Sequence, residues 1–270
     1  MSSAVPEARK ASTVSLVGHQ VRYDLRAFRR NTRARIFTLA VPVLLLLILV
    51  ALFHGGTVKT GGVTVKIAAY YVPHIAAMAI VGAGLINLLI TLVTKRESGS
   101  LKRRRATPVP AWVLIAGDAA TSIVSSLAIV AVLVAIGGIG FGLSVGGAAL
   151  GVAAVVAILG AASFCCLAYA LSGLVGTAES AGPMAQLSTL PVYFISGFYI
   201  PDNVLPHWLL NLASVLPVRP LAVALQAAFV PATNGGQRFA VVPVLVVLAW
   251  GVAGLIVAVR TFSWVPRRSS

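Results

Sequence analysis

Six apolar runs, each long enough to cross a bilayer, alternate with short polar or basic segments along the 270-residue chain. At ~1.5 Å per residue, a helix of about 20 residues spans a hydrocarbon core about 30 Å thick. Proline inside several runs is compatible with this, because neighbouring helices can satisfy the freed carbonyl groups. We therefore predict an all-α integral membrane protein with six transmembrane helices at 36–53, 68–94, 112–138, 145–171, 182–200 and 239–259.

The polar N-terminal segment, residues 1–35, has its own pattern. Val21, Leu25 and Phe28 recur at helical spacing among basic residues, so they share one helical face. Such a segment is typical of an amphipathic interfacial helix lying on the cytoplasmic leaflet. We expect it to lead into the first span.

The segment 201–237, between the fifth and sixth spans, is apolar but interrupted. Pro206, Pro217, Pro220 and Pro231 divide it into pieces of about 10 residues. These pieces are too short to cross a membrane. They are predicted to form short re-entrant or interfacial helices on the extracellular side.

The charge distribution fixes the class and the expected orientation. Hydrophobic residues make up 59% of the chain and charged residues 10%, which excludes a disordered or soluble protein. Eight Lys and Arg precede the first span, six lie in the loop at 95–111 and three follow Val259, against four on the other side. The positive-inside rule therefore predicts that the N-terminus and the tail at 261–270 are both cytoplasmic.

The loop at 95–111 is the segment most informative about function. It carries one acid, Glu97, among six bases, and Ser98–Arg105 can form a short helix that ends before Pro108. A short helix flat against the membrane suits docking to a cytoplasmic partner. The alternative is that its bases only contact anionic lipid headgroups. A nucleic-acid partner is not expected, because the basic run lies within a few residues of the bilayer.

This loop and a second motif resemble the membrane subunit of type 2 ABC transporters, the family that includes bacterial drug, lipid and polysaccharide export permeases. The family's loop pattern is a base, Glu-x-Gly-Thr/Ser-Leu, a second base and then Ala-Thr-Pro-Val. The chain carries it as Arg96, Glu97, Gly99, Ser100, Leu101, Lys102, Ala106, Thr107, Pro108 and Val109. The second motif, after the fifth span, comprises Ser196, Gly197, Pro201, Leu205, Pro206, Trp208 and Leu209.

The resemblance implies a permease that exports a hydrophobic or amphipathic cargo, such as a drug-like molecule, a lipid or a lipid-linked glycan. It implies a dimer, expected to be a homodimer, in a prokaryotic inner membrane, driven by a separate ABC ATPase subunit that binds MgATP. The chain has no Walker A motif and is not expected to bind a cofactor or metal itself. Residues implied to couple to the ATPase are Arg96, Glu97, Gly99, Ser100, Leu101 and Lys102, and those of an extracellular lid are Pro201, Pro206 and Trp208.

Four residues are candidates for the translocation path: Asn87, Asp118, Tyr193 and Phe198. Each has a structural alternative. Asp118, in the third span, could form an ion pair near Arg103–Arg105, since an intramembrane acid is costly. Asn87 could hydrogen-bond between helices. The two aromatic residues could belong to the core or to an interfacial belt.

Two other classes of function remain open from the sequence. An ion-coupled secondary transporter or channel is one, although such proteins carry several intramembrane charges. The other is a membrane-embedded serine hydrolase, because Gly142-Leu-Ser144-Val-Gly146 matches the nucleophile pattern Gly-x-Ser-x-Gly, with Asp202 and His207 following. The same glycine-rich stretch is also compatible with a tight turn between two spans.

Overall fold

The computed structural model describes Gly18 and residues 32–53, 56–99, 111–143 and 145–261, and this part of the chain is mostly helical. Side chains of 32–38 and 111–114 are not described. The helices are α1 Thr32–Leu52, α2 Ile67–Val81, α3 Leu88–Glu97, α4 Ala111–Phe141, α5 Gly147–Ser172, α6 Ala178–Ile195, α7 His207–Val215, α8 Val218–Phe229 and α9 Val241–Thr261. Gly82–Asn87 is a π-helical segment that joins α2 to α3, and Pro231–Asn234 is a 3₁₀ turn.

Four helical stretches are long and apolar enough to cross a membrane: Ile67–Glu97, Ile115–Phe141, Gly147–Ser172 and Val241–Thr261. They correspond to the second, third, fourth and sixth predicted spans. The helices α7 and α8 meet at 94° and raise the count to five if this bent pair is one span. The described apolar part of α1, Leu39–Leu52, is shorter. The chain is therefore a multi-pass membrane protein, whereas six spans remain a prediction.

The fifth predicted span, 182–200, is displaced relative to the helix that forms there. Helix α6 begins earlier, at Ala178, because Thr177 and Ser180 form a capping box at its N-terminus. It ends at Ile195, and Gly197 adopts φ +84° in the turn that follows. A left-handed glycine of this kind terminates helices, so the last residues of the predicted span are a turn.

A β-hairpin lies between α1 and α2, so the all-α prediction was wrong in this detail. Strands β1 (Thr57–Thr60) and β2 (Val63–Lys66) pair antiparallel around Gly61 and Gly62. Both glycines have positive φ, which a two-residue hairpin turn of this type requires. The cross-strand pair Val58 and Val65 is buried, whereas the neighbouring Lys59 and Thr64 are exposed, and this alternation along each strand is the strand signal that the six-span prediction missed.

Helices α2 and α8 form the centre of the bundle. Every residue of α2 except Ala69 and Met78 is buried, as is every residue of α8 except Val223. Helix α2 packs against α1, α4, α5 and α8. In contrast, only Ala213 of α7 is buried. The predicted short helices of 201–237 are thus present, and α8 enters the protein interior while α7 lies on the surface.

Glycine permits the closest helix approaches. A Cβ at Gly160 of α5 would lie 2.6 Å from Cδ1 of Leu221, so this glycine admits α8 to the bundle. On α9, a Cβ at Gly254 would lie 2.9 Å from the backbone nitrogen of Leu167 on α5. A Cβ at Gly142 or Gly146, which lie between α4 and α5, would meet nothing within 4 Å, and these two glycines agree with the expected turn.

We predict that Gly254→Val destabilises the protein by about 1–3 kcal/mol, because the added methyl groups must push α9 away from the α5 backbone. The matched control is Gly151→Val on α5, where the new side chain enters open space. Thermal and denaturant unfolding of the two purified variants in the same detergent checks this. Equal stability of the two variants would contradict the close α5–α9 contact.

Candidate functional site

The buried guanidinium of Arg96, at the end of α3, anchors the loop between α5 and α6. Its side chain is 2% exposed and donates hydrogen bonds to the carbonyl oxygens of Ser172 (2.8 Å), Val175 and Gly176 (3.2 Å). The last carbonyls of a helix have no partner within the helix. Arg96 supplies that partner for α5 and ties the end of α3 to it.

Glu97 contacts the other end of the same loop. Its Oε2 accepts a hydrogen bond from the backbone N–H of Ala178 at 2.8 Å, at the start of α6. A carboxylate there satisfies a free N–H and interacts favourably with the helix dipole. Unlike Arg96, Glu97 is exposed. Arg96 and Glu97 therefore form a clamp, defined by these two residues, that joins α3 to the ends of both α5 and α6.

Asp118 is held by a nearby polar network. Its carboxylate pairs with Lys95 Nζ at 3.1 Å and accepts a hydrogen bond from the Tyr169 hydroxyl at 2.8 Å. This network links α3, α4 and α5, and its Lys95 directly precedes Arg96 of the clamp. An ion pair was one alternative for Asp118, but its partner is Lys95, and Arg103–Arg105 lie outside the described residues. Asp118 is not among the described residues that line the cavity of Asn87 and Tyr193.

Asn87 and Tyr193, two of the path candidates, line one cavity of about 490 Å³. Asn87 is the last residue of the π-helical segment, and Tyr193 lies on α6. The fourth candidate, Phe198, is fully buried instead, with its ring 5.1 Å from that of Tyr193 and 6.0 Å from that of His74. Two of the four candidates thus line the cavity, and a third, Phe198, packs against Tyr193 without lining it.

A second polar cluster surrounds Asp202. It lies near the N-terminal end of α2, far along the chain from the clamp at the end of α3. Arg219 of α8 forms two hydrogen bonds with this carboxylate, at 2.8 and 3.0 Å. The hydroxyls of Tyr70 (3.0 Å) and Thr60 (3.2 Å) also donate to it. Burial by itself raises the pKa of the Asp202 carboxyl, but the hydrogen bond and charge of Arg219 outweigh burial and hold the pKa below its usual range.

Gly197 completes this outer cluster, which we define as Thr60, Tyr70, Gly197, Asp202 and Arg219. The Tyr70 hydroxyl lies 3.1 Å from the Gly197 carbonyl oxygen. A Cβ at Gly197 would lie 2.5 Å from that hydroxyl and 2.7 Å from Oδ1 of Asp202. The cluster joins β1, α2, the turn after α6 and α8. It fixes the segment that contains the predicted lid.

The predicted lid residues have different environments. Pro201 is buried beside the outer cluster, Pro206 is exposed, and Trp208 is 67% exposed on α7. Trp208, Leu212 and Val215 share an exposed apolar face at helical spacing. This arrangement is typical of a helix lying in the membrane interface. It does not by itself indicate that α7 gates a path.

Several sequence-predicted features lie outside the described residues. They are Ser100, Leu101 and Lys102 of the loop, Ser144, and the N-terminal segment apart from Gly18 and 32–35. The end of α3 at Glu97 and the turn at Gly99, where φ is +68°, are the described part of the coupling motif. No group of three or more metal-ligating side chains occurs in the described residues.

The serine hydrolase alternative has little support from the geometry around its other two residues. Both Asp202 oxygens are engaged by Arg219, and His207 is exposed at the start of α7. Gly142 follows the helix α4, whereas a nucleophile elbow needs a strand before it.

The sequence profile of the ABC-2 type transporter family matches residues 17–230, which is most of the chain. The chain therefore belongs to the ABC-2 type transporter family of membrane transport proteins. Its match includes both motifs, the clamp and the outer cluster. A comparison with curated proteins finds no match.

Sequence reasoning missed the outer cluster. The sequence indicates a role for Asp202 only in the hydrolase alternative, and it singles out neither Tyr70 nor Arg219. The available signal was a short, mostly apolar segment, Val218–Phe229, that carries one arginine near its start. An arginine in such a place requires an anionic partner, and Asp202 is the nearest acid in the sequence.

We predict that Arg219→Met destabilises the protein by about 3–5 kcal/mol, because it leaves the Asp202 carboxylate buried without its countercharge. The double variant Asp202→Asn/Arg219→Met buries no charge and loses only hydrogen bonds, so its loss is about 1–3 kcal/mol. Denaturant unfolding of both variants in detergent measures the difference. A double variant at least as unstable as Arg219→Met would contradict the pairing.

Proposed function

We propose that this chain is the permease subunit of an ATP-driven exporter in a prokaryotic inner membrane, with both termini in the cytoplasm. Membership of the ABC-2 family supports the permease class and implies an ABC ATPase partner. The observation that carries the proposal is the clamp of Arg96 and Glu97. It lies at the start of the 95–111 loop, which is the segment expected to meet the ATPase.

The clamp offers a physical route for coupling. A force applied by the ATPase to the end of α3 reaches the ends of α5 and α6 directly, because Arg96 and Glu97 bind both. Lys95 and Asp118 extend the connection to α4. Four helix ends then move as one body, which is the requirement for rocking a bundle rather than bending one loop.

A second copy of the chain is proposed to complete the transport path. Helix α6 supports this, since Leu187 is 73% exposed and Leu190 and Phe194 are 43% and 46% exposed on the same side. Together with Met184, these residues form an apolar face on a helix that also carries Gln186. A homodimer through this face would enclose a path between the two copies, with hydrophobic or amphipathic cargo moving outward.

The ion-coupled transporter alternative is less well supported. Its best candidate for a coupling residue, Asp118, is engaged by Lys95 and Tyr169. Collapsing the proton gradient at constant ATP distinguishes the two classes of transporter, because an ABC exporter continues to transport and a proton-coupled transporter stops.

The proposal is tested first by purifying the tagged chain from its native cells in mild detergent. We expect a Walker-motif ATPase to co-purify stoichiometrically and to be lost when residues 96–105 are deleted. Because the deletion also removes the clamp, the variant Lys102→Gln/Arg103→Gln/Arg104→Gln serves as a milder second test. A chain that purifies alone in both detergent and nanodiscs would contradict the proposal.

We predict that Glu97→Ala uncouples the complex while leaving insertion intact, because losing one exposed helix cap costs only about 1 kcal/mol. Glu97→Gln, whose amide oxygen can still accept from Ala178, is the matched control. The measurement is maleimide labelling of a cysteine placed at Leu190, in a Cys166→Ala background, with and without ATP and vanadate.

In the parent complex and in Glu97→Gln, nucleotide should change the labelling rate. In Glu97→Ala the rate should not respond, although ATP hydrolysis by the complex persists. An unaltered labelling response in Glu97→Ala, with the ATPase still bound, would show that the clamp does not transmit the motion.

A further inference from the structure

The exposed side of the β-hairpin carries two lysines and two threonines. In the hairpin register, Thr57 pairs with Lys66, and Lys59 pairs with Thr64. Successive side chains of a strand point to opposite faces, so these four residues share one face of the hairpin. All four are exposed. We call this set, Thr57, Lys59, Thr64 and Lys66, the lysine face.

The two lysines are diagonal neighbours on the lysine face. Lys59 lies two residues along β1 from Thr57, the partner of Lys66, and residues in this relation are about 7–8 Å apart. Like charges at this separation repel each other unless an anion lies between them. Two flexible ammonium groups can converge on one such anion, and the threonine hydroxyls lie beside them as further donors. A phosphate group suits this set of donors, because it accepts charge-assisted hydrogen bonds from several lysine and hydroxyl groups at once.

The described part of the chain offers the lysine face no anion. Three of its four acidic residues lie at the clamp end of the bundle, and the fourth is Asp202. Both oxygens of Asp202 are already engaged by Arg219. Neither Lys59 nor Lys66 forms an ion pair with a described residue. The counter-ion must therefore come from outside this part of the chain.

The hairpin lies where the hydrocarbon region ends. Lys66 directly precedes Ile67, the first residue of the longest candidate span. On the other side, Leu52 ends α1 with 63% of its surface exposed, five residues before β1 begins. On the reverse face of the hairpin, Thr60 donates to Asp202, which holds the hairpin against the end of the bundle. The lysine face is thus at the level of the lipid headgroups, a layer about 5–8 Å thick on each side of the hydrocarbon core.

The charge of the lysine face discriminates between headgroups. Every phospholipid offers a phosphate, but a choline or ethanolamine headgroup also brings a cation close to the two lysines. A headgroup such as glycerol brings none. A lysine near an anionic leaflet gains enough attraction for an enrichment of about fivefold, so two lysines can give tenfold or more.

We propose that the lysine face binds the phosphate of an anionic phospholipid, such as phosphatidylglycerol, in the adjoining leaflet. This inference goes beyond the proposed function and needs neither the ATPase nor a cargo. Only the identity of that leaflet as the outer one rests on the proposed orientation. Because Thr60 joins the reverse face to Asp202, a lipid bound here also holds the hairpin on the outer cluster.

The test uses the purified full-length chain in nanodiscs that contain two photoreactive lipids in equal amounts. They are phosphatidylglycerol and phosphatidylcholine with the same diazirine near the glycerol end of one acyl chain, so they differ only in the headgroup. Mass spectrometry quantifies the crosslinks on peptides that contain residues 57–66. We expect phosphatidylglycerol to label these peptides about tenfold more than phosphatidylcholine, which corresponds to about 1.4 kcal/mol.

An internal control comes from α4. Ile139 is 90% exposed near the end of α4 that lies on the hairpin side. The chain carries no charged residue between Asp118 and Glu179. Peptides that contain Ile139 should therefore be labelled equally by the two lipids, in the parent chain and in every variant.

Two double variants isolate the contribution of charge. Lys59→Gln/Lys66→Gln should lower phosphatidylglycerol labelling of the hairpin to the phosphatidylcholine level. Lys59→Arg/Lys66→Arg should keep the preference, because a guanidinium also binds phosphate. Both positions are exposed, so these changes leave the packing of the hairpin intact. Raising the salt from about 0.1 M to about 1 M shortens the Debye length from ~10 Å to ~3 Å and should reduce the preference of the parent chain several-fold.

Equal labelling of the hairpin by the two lipids in the parent chain would overturn the proposal, as would an undiminished preference in Lys59→Gln/Lys66→Gln. Excess inorganic phosphate at constant ionic strength should leave the labelling unchanged. Loss of labelling under that condition would identify a soluble anion as the ligand and reject the lipid. Co-purification of an ATPase is measured separately, so the exporter proposal and this one can each fail while the other stands.

Discussion

Backbone carbonyls that lose their helical partners inside a membrane protein must find donors within the protein, and Arg96 meets this requirement for α5. Its guanidinium contacts three carbonyl oxygens at the point where α5 ends. Because this side chain extends from α3, satisfying the end of one helix also fixes the position of another. Glu97 does the same for one N–H at the start of α6, that of Ala178. The hydrogen bonds that satisfy these helix ends are thus the same contacts that connect the helices rigidly.

The same principle operates at the outer end with different chemistry. Helix α8 enters the interior carrying Arg219, and a lone guanidinium there would be very unfavourable. Asp202 neutralises it, and the hydroxyls of Tyr70 and Thr60 occupy the remaining acceptor positions of the carboxylate. The cluster therefore stabilises a short helix that could not remain buried alone. Both ends of the bundle depend on a charged group that is fully provided with partners.

Hydrophobic run length predicted most of the fold, because long apolar helices need no tertiary information. Four spans, the interruption after residue 200 and the short helices within it follow from the sequence. The ends of α6 and the β-hairpin could not be predicted in this way, since local capping and strands of four residues leave only weak patterns in the sequence. Asn87 and Tyr193 stand out as path candidates by residue type, and they line one cavity in the structure, but their role in transport stays a prediction. Arg219 was missed because its partner, Asp202, is close in space only after α8 folds inward.

The π-helical segment also has a consequence for the direction in which side chains point. Such a segment adds about one residue relative to an α-helix of the same length, so the helix beyond it is rotated by roughly 100°. Asn87 ends this segment, and Arg96 follows it. In a regular helix the guanidinium would face a different neighbour and could not reach the end of α5. Gly82–Asn87 therefore sets the angular phase between the two halves of the span, and a cavity in one half is geometrically tied to the clamp in the other.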